Sequence, residues 1–312
     1  MIGIKEKLKE HFYKYGIVYY ILYIPYKILQ LIYKNLSDEN FIKIKYKKII
    51  GKDLNLKSPV RFTEKIQWLK LYDRRDIYTK CADKYLVRDY VKEKIAGKYL
   101  IPLVLVTENY IDINAENLPD YPVIVKTNHD SGGTFIIEDK QNFDFEDFYK
   151  KIKKRLKYNF YYLNREWEYK NIKPKIIVEK LMRDYTGNRR LNDYKIHCFH
   201  GKPMFIQTIF DRENRPKENW YDTEWRIIDV YYFSPIRRYI KKPDKLNELL
   251  LVSEKLSEDF PYVRVDLYIV NEQVYFGELT FRPYGGFMKF VPDEFDEKLG
   301  KYLDLKKVMI VK

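Results

Sequence analysis

Residues 263–281 read VRVDLYIVNEQVYFGELTF. Apolar and polar residues alternate on both sides of Asn271-Glu272, which predicts a hairpin of two strands, 263–270 and 273–279. Successive side chains on a strand point to opposite faces, so Arg264 and Asp266 share one face. Glu278 lies on the return strand, with Thr280 two residues further along. Arg264, Asp266 and Glu278 are therefore expected to converge on one sheet surface. Val263, Val265, Phe276 and Leu279 give the hairpin an interior character, and buried carboxylates are costly without a strong partner. Two carboxylates at such a point suit Mg²⁺, which takes one or two carboxylates plus phosphate oxygens and water. The nearby guanidinium suits a phosphate or carboxylate bidentately. The competing reading is a cross-strand salt-bridge ladder, worth under about 1 kcal/mol if exposed.

The preceding segments extend the pattern. Residues 193–199 (DYKIHCF) alternate, Gly201-Lys202 reads as a hairpin turn and 203–208 as the returning strand. Asp193 and Lys195 share a face and could take ribose hydroxyls and a phosphate. Residues 175–179 (KIIVE) form a buried strand, and Glu179, Lys180, Leu181 and Met182 leave it. A segment linking two lobes is a usual place for a purine, whose edge meets free backbone groups there. Residues 122–134 read PVIVKTNHDSGGT. Here Lys126 ends a nearly all-apolar strand, and Ser131, Gly132 and Gly133 sit in a loop whose backbone can approach phosphate oxygens closely. The segment matches neither GxxxxGK[ST] nor GxGxxG.

Helical spacing runs over 61–98, with Asp83 as a cap and Gly97 as a stop. Helices are also expected at 144–158 and 245–260, and a strand at 101–106. The element order predicts an α+β fold with mainly antiparallel sheets in two lobes. The expected divisions are a helical N-terminal segment 1–75, a first lobe 76–178 and a second lobe 179–312.

Composition narrows the partners. The 312 residues carry 59 basic and 45 acidic side chains, a net charge of +14. Such a surface attracts polyanions, although a lysine-rich, AT-rich-type composition produces the same excess. Two cysteines in a chain of this length, with no secretion signal, point to a reducing, cytoplasmic compartment. Residues 12–33 are densely aromatic and aliphatic, but their longest uncharged stretch is too short for a span of roughly 20 residues. With Lys14, Lys27 and Lys34 they suit either a helix at the inner face of a membrane or one packed on the protein's own core.

The ordered set DKYLVRDYV, PVIVKTNHDSGG, IIVEKLM, DYKIHCF, VRVDLY and GELTF resembles the ATP-grasp superfamily. FTEKIQWLKLYDRR, YTKCADKY, REWEYKNIKP and DFPYVRVDLY resemble its TupA-like branch, over about residues 60–300. The resemblance implies ATP and Mg²⁺ as cofactors. It implies Lys84 and Lys126 as phosphate lysines and Ser131 to Gly133 as the phosphate-closing loop. Glu179, Lys180, Leu181 and Met182 match the adenine hinge, Asp193 the ribose acceptor, and Lys195 a further phosphate contact. Arg264 matches the acyl-phosphate arginine, and Asp266 and Glu278 the metal ligands. Thr280 stands where many relatives carry Asn, and its hydroxyl can also ligate magnesium. The first 75 residues are too few and too helical for the usual N-terminal Rossmann-like domain.

The implied reaction joins a carboxylate to an amine, with Arg264, Lys126 and Lys195 as the catalytic cations. The family context points to an anionic glycan or glycolipid acceptor, such as a uronic acid in cell-envelope polysaccharide, plus an amine donor. His129 is the candidate proton acceptor. An ATP-grasp kinase is the nearest alternative. A glycosyltransferase would need a DxD motif, which is absent from the sequence. A non-catalytic membrane or nucleic-acid binder would rest on 158–170, with Arg165, Trp167 and Tyr169; nucleic acid is not expected as a partner.

Overall fold

The computed structural model describes residues 35–183, 193–210, 217–235 and 240–308. The apolar segment 12–33, with its expected membrane contact, lies outside them. Among the described residues no helix is long and apolar enough to cross a membrane.

Two antiparallel sheets organise the chain, as the alternation predicts. The smaller contains β1 (Leu103–Thr107), β2 (Val123–Thr127), β3 (Thr134–Ile137) and β4 (Ile176–Lys180), in the order β1-β4-β2-β3. All of its ladders are antiparallel. Val123, Val125, Ile176 and Val178 bury one face against Phe148 and Ile152 of the amphipathic helix Phe145–Leu156. That helix starts where expected, with the Asp144 side chain accepting from the Asp147 N–H, a regular N-cap.

The larger sheet contains β5 (Asp193–Phe199), β6 (Lys202–Phe210), β7 (Lys217–Tyr221), β8 (Ile227–Ile228), β9 (Tyr262–Val270) and β10 (Gln273–Thr280). Its order is β10-β9-β5-β6-β7-β8. The β5–β6 turn runs through His200 and Gly201, and the β9–β10 turn through Asn271 and Glu272. All four have positive φ, the signature of two-residue hairpin turns. One face of this sheet is apolar: Ile196, Cys198, Val263, Val265, Leu267 and Leu279 pack on the helix Leu246–Ser257. The opposite face carries Lys195, His197, Arg264, Asp266 and Glu278, and its far end is covered by Phe205, Trp220 and Tyr262.

The predicted helical stretch 61–98 divides into α1 (Phe62–Tyr72), α2 (Asp76–Ala82) and α3 (Val87–Ile95). Aspartates make the breaks, because their short side chains compete for local hydrogen bonds. Asp73 binds the Arg75 guanidinium at 2.8 Å. Asp83 accepts from the N–H groups of Tyr85 and Leu86, so it caps the turn before α3 rather than the helix itself. An earlier helix, Asp38–Ile50, is capped by Ser37 and closed by left-handed Gly51. The buried apolar residues of α1, Phe62, Ile66 and Leu69, join the aromatic cluster of the larger sheet.

At the start of α1, Asp296 accepts from the Thr63 N–H at 2.9 Å and from its hydroxyl at 2.6 Å. Burial raises the Asp296 pKa to about 6, with Thr63 opposing. A carboxyl whose folded pKa is raised favours folding at low pH and loses that contribution as pH rises through the folded value. Urea titrations should therefore show this contribution falling between about pH 4 and 6. In Asp296→Asn that slope should disappear; an unchanged slope would show that another group titrates.

Candidate active site

The polar face of the larger sheet builds its site in rows across strands. Lys195 on β5 lies opposite Asp266 on β9, and Asp266 opposite Glu278 on β10. The next row is His197, Arg264 and Thr280. Directly opposed residues share a face, so these side chains meet.

Convergence needs more than a hairpin. The ladder begins Gln273↔Val270 and runs in step to Phe276↔Leu267. Continued regularly, it would set Glu278 opposite Val265, on the apolar face. The register shifts between Phe276 and Glu278. Gly277 is the extra residue, a bulge that turns Glu278 and Thr280 onto the face of Asp266 and Arg264. The glycine has a reason: a Cβ there would lie 2.7 Å from Tyr268 Cε2 and 2.9 Å from the Asp266 carbonyl oxygen.

Asp266 is the electrostatic centre. Arg264 Nε reaches its Oδ1 at 2.6 Å and Arg264 Nη2 its Oδ2 at 2.8 Å, while Lys195 Nζ also donates to Oδ2. Burial pushes the Asp266 pKa up, but Arg264 and Lys195 outweigh it and hold the carboxyl below its ordinary value. Burial, then Arg264, lowers Lys195. Arg264 Nη2 continues to Glu278 Oε1 at 3.4 Å and Thr280 Oγ1 at 3.1 Å, and Thr280 donates to Glu278 Oε1 at 2.8 Å. Asp193 stands 3.7 Å from Lys195 Nζ.

The smaller sheet and the α2–α3 turn carry the other lysine candidates. Lys126 Nζ binds Glu179 Oε2 at 2.9 Å, across neighbouring β2 and β4. Arg88 of α3 holds the other oxygen of Glu179 at 2.9 Å. Lys84 Nζ donates to the carbonyls of Thr127 and Asp130. Burial lowers the Lys84 pKa; Asp130 and then Glu278 oppose, and Lys126 adds to the lowering. Lys84 is thus within electrostatic reach of both Lys126 on the smaller sheet and Glu278 on the larger. The loop after β2 has Gly132 at φ +80°. A Cβ at Gly133 would lie 2.6 Å from Thr127 Oγ1. Ser131 and Gly132 are exposed, and the Ser131 carbonyl accepts from Arg155.

Other sequence candidates lie differently. Glu179 is held in ion pairs with Lys126 and Arg88, and the N–H groups of Lys180 and Leu181 donate to Pro102 and Pro122 carbonyls. Met182 follows, partly exposed. His129 is 2% exposed with Nε2 turned to the Arg155 carbonyl. Arg165 is likewise 2% exposed and stacks on Phe41, so it is not a surface cation. Sequence reasoning missed Arg88, whose partner is far along the chain. It also missed a buried group of Lys70, Glu166, Glu168 and Arg282, although charges inside an otherwise apolar pattern were a visible signal.

The family model described as TupA-like ATPgrasp matches residues 64–304. The chain belongs to the TupA-like ATP-grasp family. No curated protein matches the sequence significantly. Among solved structures this ATP-grasp chain is similar to D-alanine–D-alanine ligase from Bacillus anthracis, at 19% identity and TM-score 0.40, covering 72% of this chain and 64% of that one. The corresponding Helicobacter pylori ligase gives 15% and 0.41, with 81% and 68% covered. The ADP complex of N5-carboxyaminoimidazole ribonucleotide synthetase gives 10% and 0.43, with 80% and 58% covered. The chain thus spans less than two thirds of two of these three proteins.

The ATP-grasp site residues fit a magnesium nucleotide. Asp266, Glu278 and Thr280 offer only oxygen donors, the set Mg²⁺ prefers. Among the described residues no group of three or more His, Cys, Asp or Glu could hold a metal, so the remaining positions would fall to phosphate oxygens and water. The Lys84 ammonium has carbonyls as its hydrogen-bond partners, which leaves a half-buried charge that a phosphate would compensate.

Proposed function

We propose that this chain is an ATP- and Mg²⁺-dependent carboxylate–amine ligase that forms an amide through an acyl phosphate. Its acceptor is an anionic glycan or glycolipid bearing a uronic acid. The observation that carries this reading is the row of Lys195, Asp266 and Glu278 with Arg264 and Thr280 beside it, within electrostatic reach of Lys84. Residues 76–178 and 179–312 act as the two lobes around the triphosphate.

In this reading Lys84 and Lys126 hold phosphate oxygens from one side and Lys195 from the other. Asp193 takes the ribose, and the 179–182 segment borders the adenine. The 131–133 loop, exposed at Ser131 and Gly132, closes over the phosphates. Asp266, Glu278 and Thr280 hold Mg²⁺, which supplies charge neutralisation at the γ-phosphate. The acceptor carboxylate attacks the γ-phosphorus, and the bond to the bridging oxygen breaks toward ADP. The amine then attacks the acyl carbon, phosphate leaves, and the amine proton passes to solvent or to a base. Arg264, fixed by two bonds to Asp266, shares its Nη2 with Glu278 and Thr280, where it stabilises the acyl-phosphate oxygens. The net charge of +14 favours an acidic acceptor. Both cysteines are free and buried, compatible with a reducing compartment at the inner face of the membrane.

The test is ADP and phosphate release with MgATP against a panel of uronic-acid glycans and amines, with mass spectrometry of the product. An amide with phosphate release supports the ligase; a stable phosphoester overturns it. Lys126→Ala should raise the ATP KM at least about ten-fold, the size of one charge-assisted contact. An unchanged KM would remove Lys126 from the phosphate site.

A further inference from the structure

Beyond Arg264 and Thr280 the charged rows give way to aromatic rings. β10 passes through Phe281 and Arg282 into Pro283 and Tyr284. Tyr284 is left-handed, at φ +52°, and 46% exposed. Bulky residues are uncommon there, and strained backbone persists where surrounding structure enforces it, often at ligand sites. Its ring stands edge-on to Tyr232 at 5.0 Å and Phe233 at 5.4 Å. Burial raises the pKa of its hydroxyl, while Arg264, a hydrogen bond with Tyr232, and Lys195 oppose.

Two buried clamps fix this group. Glu218, fully buried, accepts from the backbone N–H groups of Tyr232 and Phe233 through Oε1. Its Oε2 accepts from the Gln207 amide and from Trp220 Nε1. Gln207 also bonds the Tyr232 hydroxyl at 2.8 Å. On the other side, Lys70 and Gln67 of α1 bind the carbonyls of Gly285 and Gly286, just after Tyr284. A surface tyrosine with no task would not require a left-handed backbone held by a buried lysine.

The site's direction gives the shelf an occupant. A nucleotide whose ribose meets Asp193 reaches Arg264 with its terminal phosphate, because the rows run in that order along β5 and β9. The acid to be activated then approaches from the Tyr284 side. In a uronic acid the carboxylate is bonded directly to the pyranose ring, so a carboxylate at Arg264 leaves the ring within about one residue length of that centre. Sugar rings present C–H faces that lie on the negative face of an aromatic ring. A ring-less acid would leave the shelf uncovered.

Resting on the ligase reading above, we propose that Tyr284, with Tyr232 and Phe233, is the acceptor subsite that stacks the pyranose ring of a uronic acid. Glu218, Gln67 and Lys70 act as positioning residues. The test uses the full chain with MgADP and methyl β-D-glucuronide, read by saturation-transfer NMR, with open-chain gluconate as the ring-less control. Wild type and Tyr284→Phe should saturate the pyranose ring protons. Tyr284→Gly should bind the glucuronide at least ten-fold more weakly, with unchanged ADP affinity. Its melting temperature should change little, because relief of the left-handed backbone offsets the lost ring contacts. Equal glucuronide binding by Tyr284→Gly and wild type, no ring saturation in wild type, or equal binding of gluconate would each overturn the proposal. Failure of every acid to support ADP release would instead overturn the ligase reading, and it leaves the NMR readout standing on its own.

Discussion

Glu278→Gln should lower acid-dependent ADP release by about 10²–10³-fold while leaving the fold intact, the scale of losing one partner of the developing charge. The glutamine keeps the shape and one oxygen but removes the negative charge that Mg²⁺ requires. Glu278 is the better of the two carboxylates to test because its side chain is 46% exposed. Its 3.4 Å contact with Arg264 is the weaker one, and Arg264 keeps both bonds to Asp266. The melting temperature should therefore stay within about 2–4 °C of wild type. Asp266→Asn would be less informative. It would leave Lys195 and Arg264 buried beside a neutral amide, a change that destabilises by about 3–5 kcal/mol when a buried pair loses one partner. Activity lost there would mix chemistry with unfolding. If wild type and Glu278→Gln released ADP at the same rate, the metal assignment would fall.

The sequence made the strands legible because their apolar alternation has a period of two and their turns carry recognisable residues. Asn271-Glu272 lies at the β9–β10 turn, and the β5–β6 turn sits one residue earlier than expected, at His200-Gly201. Both sheets follow from that pattern. The breaks in 61–98 were less legible, since helical periodicity continues across Asp73 and Asp83 while the side chains of those residues bind locally. Individual charges on the site face could be placed by parity along one strand. Their partners across strands could not, which is why Arg88 on Glu179 went unseen. Nor could parity show that Glu179 is held by both Lys126 and Arg88. The aromatic shelf was invisible for another reason. Tyr232 and Tyr284 come from separate loops, and nothing in their local sequence marks them as neighbours.

Gly277 shows how one residue reconciles pattern and site, and it yields the second large effect. Counting along a regular two-residue hairpin sets Glu278 against Val265, yet Leu279 must face the apolar core. Phe276 is also buried, and no regular strand can bury 276 and 279 while presenting 278 beside Asp266. The bulge resolves the conflict, and a glycine inside a strand was its available signal. Gly277→Val should force the backbone next to Glu278 away from Asp266, because the new Cβ would meet the Asp266 carbonyl at 2.9 Å and the Tyr268 ring at 2.7 Å. The carbonyl is backbone and cannot swing aside. Overpacking of this kind costs about 1–3 kcal/mol, which a denaturation curve would show. The catalytic loss should exceed that cost, since a displacement of about 1 Å in a positioned group lowers turnover about 10²-fold. ADP release should therefore fall in the fraction that remains folded, at temperatures well below the melting transition. Full activity in folded Gly277→Val would mean that Glu278 need not sit opposite Asp266, and the two-carboxylate metal site would lose its geometric basis.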